Sequence, residues 1–174
     1  LNLDYLIEKN ILFLNKKNFL TKISSINYLE NIKIEKNYPS TIIFSANKTK
    51  LLASTFINQK KYYIGENNQF ISAKDINISK NLPTIFGKFN ISEFIDLQNE
   101  LNNQNIDQSS ILKYFFHKNK RWDLYYPNNK IIMLPNKNIT KAITLYKKFE
   151  TENKIGQDTI IDLRIENRLV LTNG

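Results

Sequence analysis

The side chains that could do chemistry are few and dispersed. His117, the only histidine among 174 residues, sits beside Lys118 and Lys120 with no acidic or thiol residue close in sequence. It reads as a surface strand residue rather than a base or a metal ligand. The carboxylates are scattered rather than paired. The sequence also lacks a phosphate-cradling glycine loop, metal-ligand spacing and a nucleophile elbow. It contains no cysteine, which excludes disulfides and thiolate-held metals and leaves the redox compartment open. Catalytic readings have no residues to stand on, so the expectation is a protein without enzymatic activity, cofactor or metal, acting by binding.

Composition narrows the kind of binding. A chain with 41% hydrophobic residues is long enough for one large or two small cores. Its net charge of +9 first points to nucleic acid or an anionic membrane surface. Nearly all of that charge is lysine, with arginine only at 121, 164 and 168, in the Lys-, Asn- and Ile-rich usage of an AT-rich genome. The lysines are spread along the chain with no dense run and read as a solvated surface. Each of the three arginines therefore invites a functional question. No apolar run reaches the roughly 20 residues of a membrane span, and no signal peptide opens the chain. Because residue 1 is leucine, the chain reads as a fragment whose N-terminus has been removed.

Periodicity supplies the elements. Leu3, Leu6 and Ile7, then Phe19, Leu20, Ile23 and Ile26, recur at helical spacing and predict two short helices. Ile32 and Ile34 alternate with charged residues, and Thr41 to Phe44 resume the pattern after Tyr38-Pro39, which predicts two strands. From about Leu51 strands dominate: 51–57 paired with 60–64, a turn at Glu66-Asn67-Asn68, then 111–116, 121–126, 130–134, 159–165 and 169–172. Asn128-Asn129 reads as a hairpin turn. Asn90 with Glu93 fits a capping box opening a helix with Ile91, Phe94, Ile95 and Leu101 on one stripe. Ile139, Ala142, Ile143, Tyr146 and Phe149 predict a second helix, capped by Asn138 and ending before Gly156. Trp122 alternates with Leu124 and Tyr126 and reads as a core anchor, with Arg121, Asp123 and Tyr125 on the other face. Asp162 and Arg164 share a strand face and could pair with a neighbouring strand.

Read in order, Tyr38-Pro39-Ser40-Thr41, Ala53, Leu82 to Gly87, Arg121-Trp122-Asp123-Leu124, Asn128-Asn129, Leu134-Pro135 and Ile161-Asp162-Leu163-Arg164 resemble the FtsQ/DivIB family of bacterial cell-division proteins. Where that family favours glycine in two of its turns, this chain has Asn68 and Asn129. The resemblance implies an α+β fold. An incomplete POTRA domain (helix, helix, strand, strand) would occupy 1–50. A mixed, mainly antiparallel β domain with two helices would occupy 51–174. It further implies a single-pass protein of the bacterial inner membrane, anchored by a helix upstream of Leu1, with this region in the periplasm. By binding alone it would join the membrane-anchored coiled-coil proteins FtsB/DivIC and FtsL, and other division proteins, to septal peptidoglycan synthesis.

The last strand is the candidate docking edge, because an edge strand offers unpaired backbone groups to an added strand. In it Ile165, Leu169 and Leu171 would give apolar contacts, Arg164 and Arg168 would attract carboxylates, and Asn167 lies between them. The same segment, after Asp-Leu-Arg, is where the family receives its coiled-coil partner. Two other classes would leave their own marks on the sequence. A basic nucleic-acid-binding domain would need aromatics interleaved with a basic groove. A POTRA-bearing protein of outer-membrane transport would need repeated units and barrel strands. The sequence shows neither.

Overall fold

The computed structural model describes residues 23, 26–76, 78, 79, 81–153 and 156–173. The chain divides into two units, Leu1–Lys50 and Leu51–Gly174. In the first, β1 (Leu29–Asn37) and β2 (Thr41–Lys48) form an antiparallel pair with Asn37 opposite Thr41. Ile34 and Ile23 are buried together, with Ile32, Ile42 and Phe44 packed against them. The two helices expected before residue 27 fall almost wholly outside the described residues.

The second unit is α+β. Among the described residues its nine strands are β3 (Leu51–Ile57), β4 (Lys60–Gly65), β5 (Phe70–Ser72), β6 (Thr84–Phe86), β7 (Lys113–Phe116), β8 (Trp122–Tyr125), β9 (Ile131–Met133), β10 (Thr159–Asp162) and β11 (Val170–Asn173). They form one sheet in the order β11-β10-β9-β8-β7-β6-β3-β4-β5. Five of its eight pairings are antiparallel; β3·β6, β6·β7 and β9·β10 are parallel. Parallel neighbours need a long crossover. Helix α1 (Ile91–Asn103) supplies it between β6 and β7, and α2 (Ile139–Glu152) between β9 and β10.

Register explains where the core lies. Ile85, Tyr114, Leu124, Ile132 and Ile161 stand opposite one another across five strands, each no more than 2% exposed. Ile91, Phe94, Leu97 and Leu101 of α1, with Ile143 and Tyr146 of α2, pack on that row. Burying each such side chain stabilises the fold by about 1.5–3 kcal/mol. Trp122 is buried as well, with its ring 4.6 Å from Phe116 and 6.0 Å from Phe94. The neighbouring register row belongs to the opposite face: Phe86, Phe115, Asp123, Met133, Asp162 and Val170.

Local signals set the element ends. Asn90 and Glu93 form a capping box at α1, the Asn90 amide donating to Glu93 Oε2 at 3.0 Å. At α2 Asn138 holds the N-cap position in a left-handed conformation (φ 56°) without capping the helix through its side chain. Its side-chain amide donates instead to Glu166 Oε1 at 3.2 Å. Helix α2 ends before Gly156, at Asn153, whose backbone and side-chain N–H groups both donate to the Phe149 carbonyl. Asn128 and Asn129 both take positive φ (57° and 54°), the twist a two-residue hairpin needs. Strand β6, three residues long, was not among the strands expected from periodicity.

Candidate partner-binding edge

The sheet ends on one side at β11. Asp162 faces Val170, Ile161 faces Leu171 and Ile160 faces Thr172 on β10, and no described strand lies on the other side of β11. Leu171 is thus the outermost member of the core row Ile85-Tyr114-Leu124-Ile132-Ile161. Its five predecessors are buried and it is 43% exposed. The apolar row runs off the sheet unfinished. Val170, 36% exposed, ends the row on the opposite face and was absent from the residues expected to bind.

The connection from β10 to β11 is held by the Asp162 carboxylate. Its Oδ1 accepts from the Arg164 backbone N–H at 3.0 Å and from Arg164 Nε at 2.7 Å, while Oδ2 accepts from Arg164 Nη2. Asp162 and Arg164 therefore pair with each other, not with a neighbouring strand. This hydrogen bonding holds the Asp162 carboxyl below the ordinary carboxylate range and pushes the Arg164 guanidinium up. Asn167 turns the chain at φ 57°, and the Arg168 N–H donates to the Ile165 carbonyl at 3.1 Å.

The six expected residues separate by role. Ile165 lies in the turn and is 57% exposed. Leu169 precedes β11, is half-buried and packs against the main core. Arg168 is exposed and forms no ion pair among the described residues, whereas the Arg164 guanidinium is already engaged by Asp162. Asn167 serves the turn and Leu171 the edge. Beside them an open cleft of about 290 Å³ lies between the start of α2 and residues 163–168, bordered by Lys137, Lys141, Arg164 and Arg168. The one acid there, Glu166, is tied to Lys141 at 3.7 Å.

A second polar cluster lies on the sheet face away from the helices. The Asp123 carboxylate, its side chain 4% exposed, accepts from Arg121 Nε at 3.1 Å and bonds His117 Nε2 at 2.7 Å. His117 thus has an acidic partner after all, brought to it across the β7–β8 hairpin rather than by nearness in sequence. The cluster anchors that hairpin. Lys130 does similar work near α2, donating to Tyr146 Oη at 2.7 Å and lying over the Tyr126 ring at 5.2 Å. Among the described residues no three His, Cys, Asp or Glu side chains converge, and no helix is long and apolar enough to cross a membrane.

No protein-family model and no curated protein matches the sequence. Among solved structures, the chain is similar to the major extracytoplasmic domain of the trans isomer of the bacterial cell-division protein DivIB from Geobacillus stearothermophilus. The likeness covers 63% of this chain and 99% of that one, at 10% identity and a TM-score of 0.38, too slight to carry an argument about site or partner.

Proposed function

We propose that this chain is a non-enzymatic, extracytoplasmic scaffold of the bacterial division machinery, anchored in the inner membrane by an upstream helix. It binds FtsB/DivIC-type coiled-coil proteins, and through them FtsL, by receiving one of their strands on β11. The observation that carries the reading is the unfinished apolar row. A strand added beside β11 would place an apolar side chain opposite Leu171, continue the row that begins at Ile85, and satisfy the outward backbone groups of the edge. The ordered sequence motifs support the family reading, and POTRA character is proposed for the first unit on the same ground.

Charge favours a partner with carboxylates near the entry to β11, because Arg168 is exposed and the adjoining cleft carries Lys137 and Lys141. The test is titration of the 174-residue chain with the extracytoplasmic segment of an FtsB/DivIC-type protein. Leu171→Asp and Arg168→Glu each alter an exposed side chain, so the fold should survive. Binding should weaken at least about tenfold in each, the scale of one lost interface contact of about 1.4 kcal/mol. Unchanged affinity in both variants would place docking elsewhere.

A further inference from the structure

Topology gathers lysines that the sequence keeps apart. Strands β3, β6 and β7 run parallel, so the β3–β4 turn, the β6–α1 connection and the β7–β8 turn all emerge at one end of the sheet. Residues 57–61, 87–90 and 117–121 hold Lys60, Lys61, Lys88, Lys118 and Lys120, all exposed, and no acid. Lys120 reaches back to Glu93 at 3.7 Å, and Arg121 is bound to Asp123. Connections at the opposite end, 66–69, 104–112 and 126–130, carry Glu66 and Asp107 against Lys130. The segments after β5, β9 and β10 leave from the same end as these lysines and add Asp75 and Glu166 against Lys74, Lys137, Arg164 and Arg168, while Asp158 joins the other end, so among the described residues the sheet is basic at one end and slightly acidic at the other.

The same end exposes large apolar side chains. Phe56 is 57% exposed, Ile57 38% and Phe86 36%. Thr55 faces Ile85, which places Phe56 beside Phe86 one step further along, and Phe86 stacks on Phe115 at 4.7 Å. Gly87 lets this connection run tight against β7: with φ at +104°, a Cβ there would stand 2.1 Å from the Phe116 carbonyl oxygen. Apolar tips ringed by long cationic side chains fit the interface of an anionic bilayer, where rings and aliphatic groups enter and lysines stay at the phosphates. Ile57 offers a nucleobase nothing to stack on, which favours lipid over single-stranded nucleic acid.

We infer that this end of the sheet docks on an anionic lipid surface, with Phe56, Ile57 and Phe86 at the interface and Lys60, Lys88 and Lys118 on the headgroup phosphates. This surface lies on strands other than β11 and does not depend on the scaffold reading. The test is sedimentation of the 174-residue chain with vesicles of equal parts phosphatidylglycerol and phosphatidylcholine, against phosphatidylcholine alone. Binding should require phosphatidylglycerol. Lys60→Glu with Lys118→Glu should weaken it more than about twentyfold, at roughly fivefold for each lysine lost. Phe56→Ser with Ile57→Ser should also weaken it, while circular dichroism of both variants stays that of the wild type. No binding to the anionic vesicles, equal binding by the folded variants, or capture of a polythymidine strand in place of vesicles would each overturn the inference.

Discussion

Asp123 is the residue whose role was least legible in the sequence. Strand alternation places it opposite Trp122 and Leu124, on the face expected to meet solvent, yet it is 3% exposed. Of its partners, Arg121 was placed on the same face by strand alternation, but nothing in the spacing signals that His117, across the β7–β8 hairpin, reaches it. Removing a partner from a buried charge costs more than the pair itself contributes. Asp123→Ala should therefore lower stability by about 2–3 kcal/mol, with the Arg121 guanidinium left unpaired. Denaturant unfolding monitored by Trp122 fluorescence would measure this, and a loss below about 0.5 kcal/mol would show the cluster to be ornamental to the fold. Gly87 is the other demanding position. Gly87→Ala meets the Phe116 carbonyl and an unfavourable φ together, so a loss on the order of 2–3 kcal/mol should appear in the same measurement.

At the scale of elements, periodicity found both helices and the strands of the second unit other than β6. Both helices of the second unit were readable from their apolar stripes, although Leu97, buried in α1, was not on the expected one. The Asn128-Asn129 hairpin was readable because asparagine tolerates a left-handed backbone. Among the described residues eight of the eleven non-glycine residues with positive φ are asparagines, so asparagine does much of the turn work in a chain with four glycines. Strand β6 escaped, and with it its parallel pairings to β3 and β7, the second of which makes α1 a crossover. The end of α2 falls before Gly156, with Asn153 satisfying the last-turn carbonyl that a glycine-based stop would otherwise serve. Lys147 donates to the Gln104 and Asn105 carbonyls just after α1, at 2.8 and 3.2 Å. Lys147→Met should loosen that end, seen as faster amide exchange at Gln104 to Ile106 than in α2; unchanged exchange would assign the order there to packing alone.

For the whole molecule, buried tyrosines make a prediction about pH. Burial pushes Tyr114 up to about 12 and raises Tyr126 and Tyr146 further, all on the helix-covered side of the sheet. In the unfolded chain each titrates near 10. Above that pH the unfolded state loses protons that the folded state keeps, so stability is complete below about pH 10 and falls as pH rises toward 12. Alkaline unfolding should begin in that window, and Tyr114→Phe should flatten its slope; an unfolding free energy constant from pH 9 to 12 would contradict the burial account. The Asp162–Arg164 pair works in the other direction. With its carboxyl lowered, its contribution is present above the unfolded carboxylate range near 4 and is lost only in acid. The binding edge should thus be insensitive to pH between about 6 and 8, far from either window.

In the proposed mode of binding, β11 receives a partner strand through its outward backbone groups. Successive N–H groups of a strand point to opposite sides, so of Val170→Pro and Leu171→Pro one removes a donor to β10 and the other the outward donor. The most direct measurement titrates both variants with the FtsB/DivIC-type segment and records their unfolding free energies. The variant that keeps wild-type stability is the one that lost the outward donor, and it should bind at least about tenfold more weakly. If that stable variant binds with wild-type affinity, the partner does not add a strand to this edge.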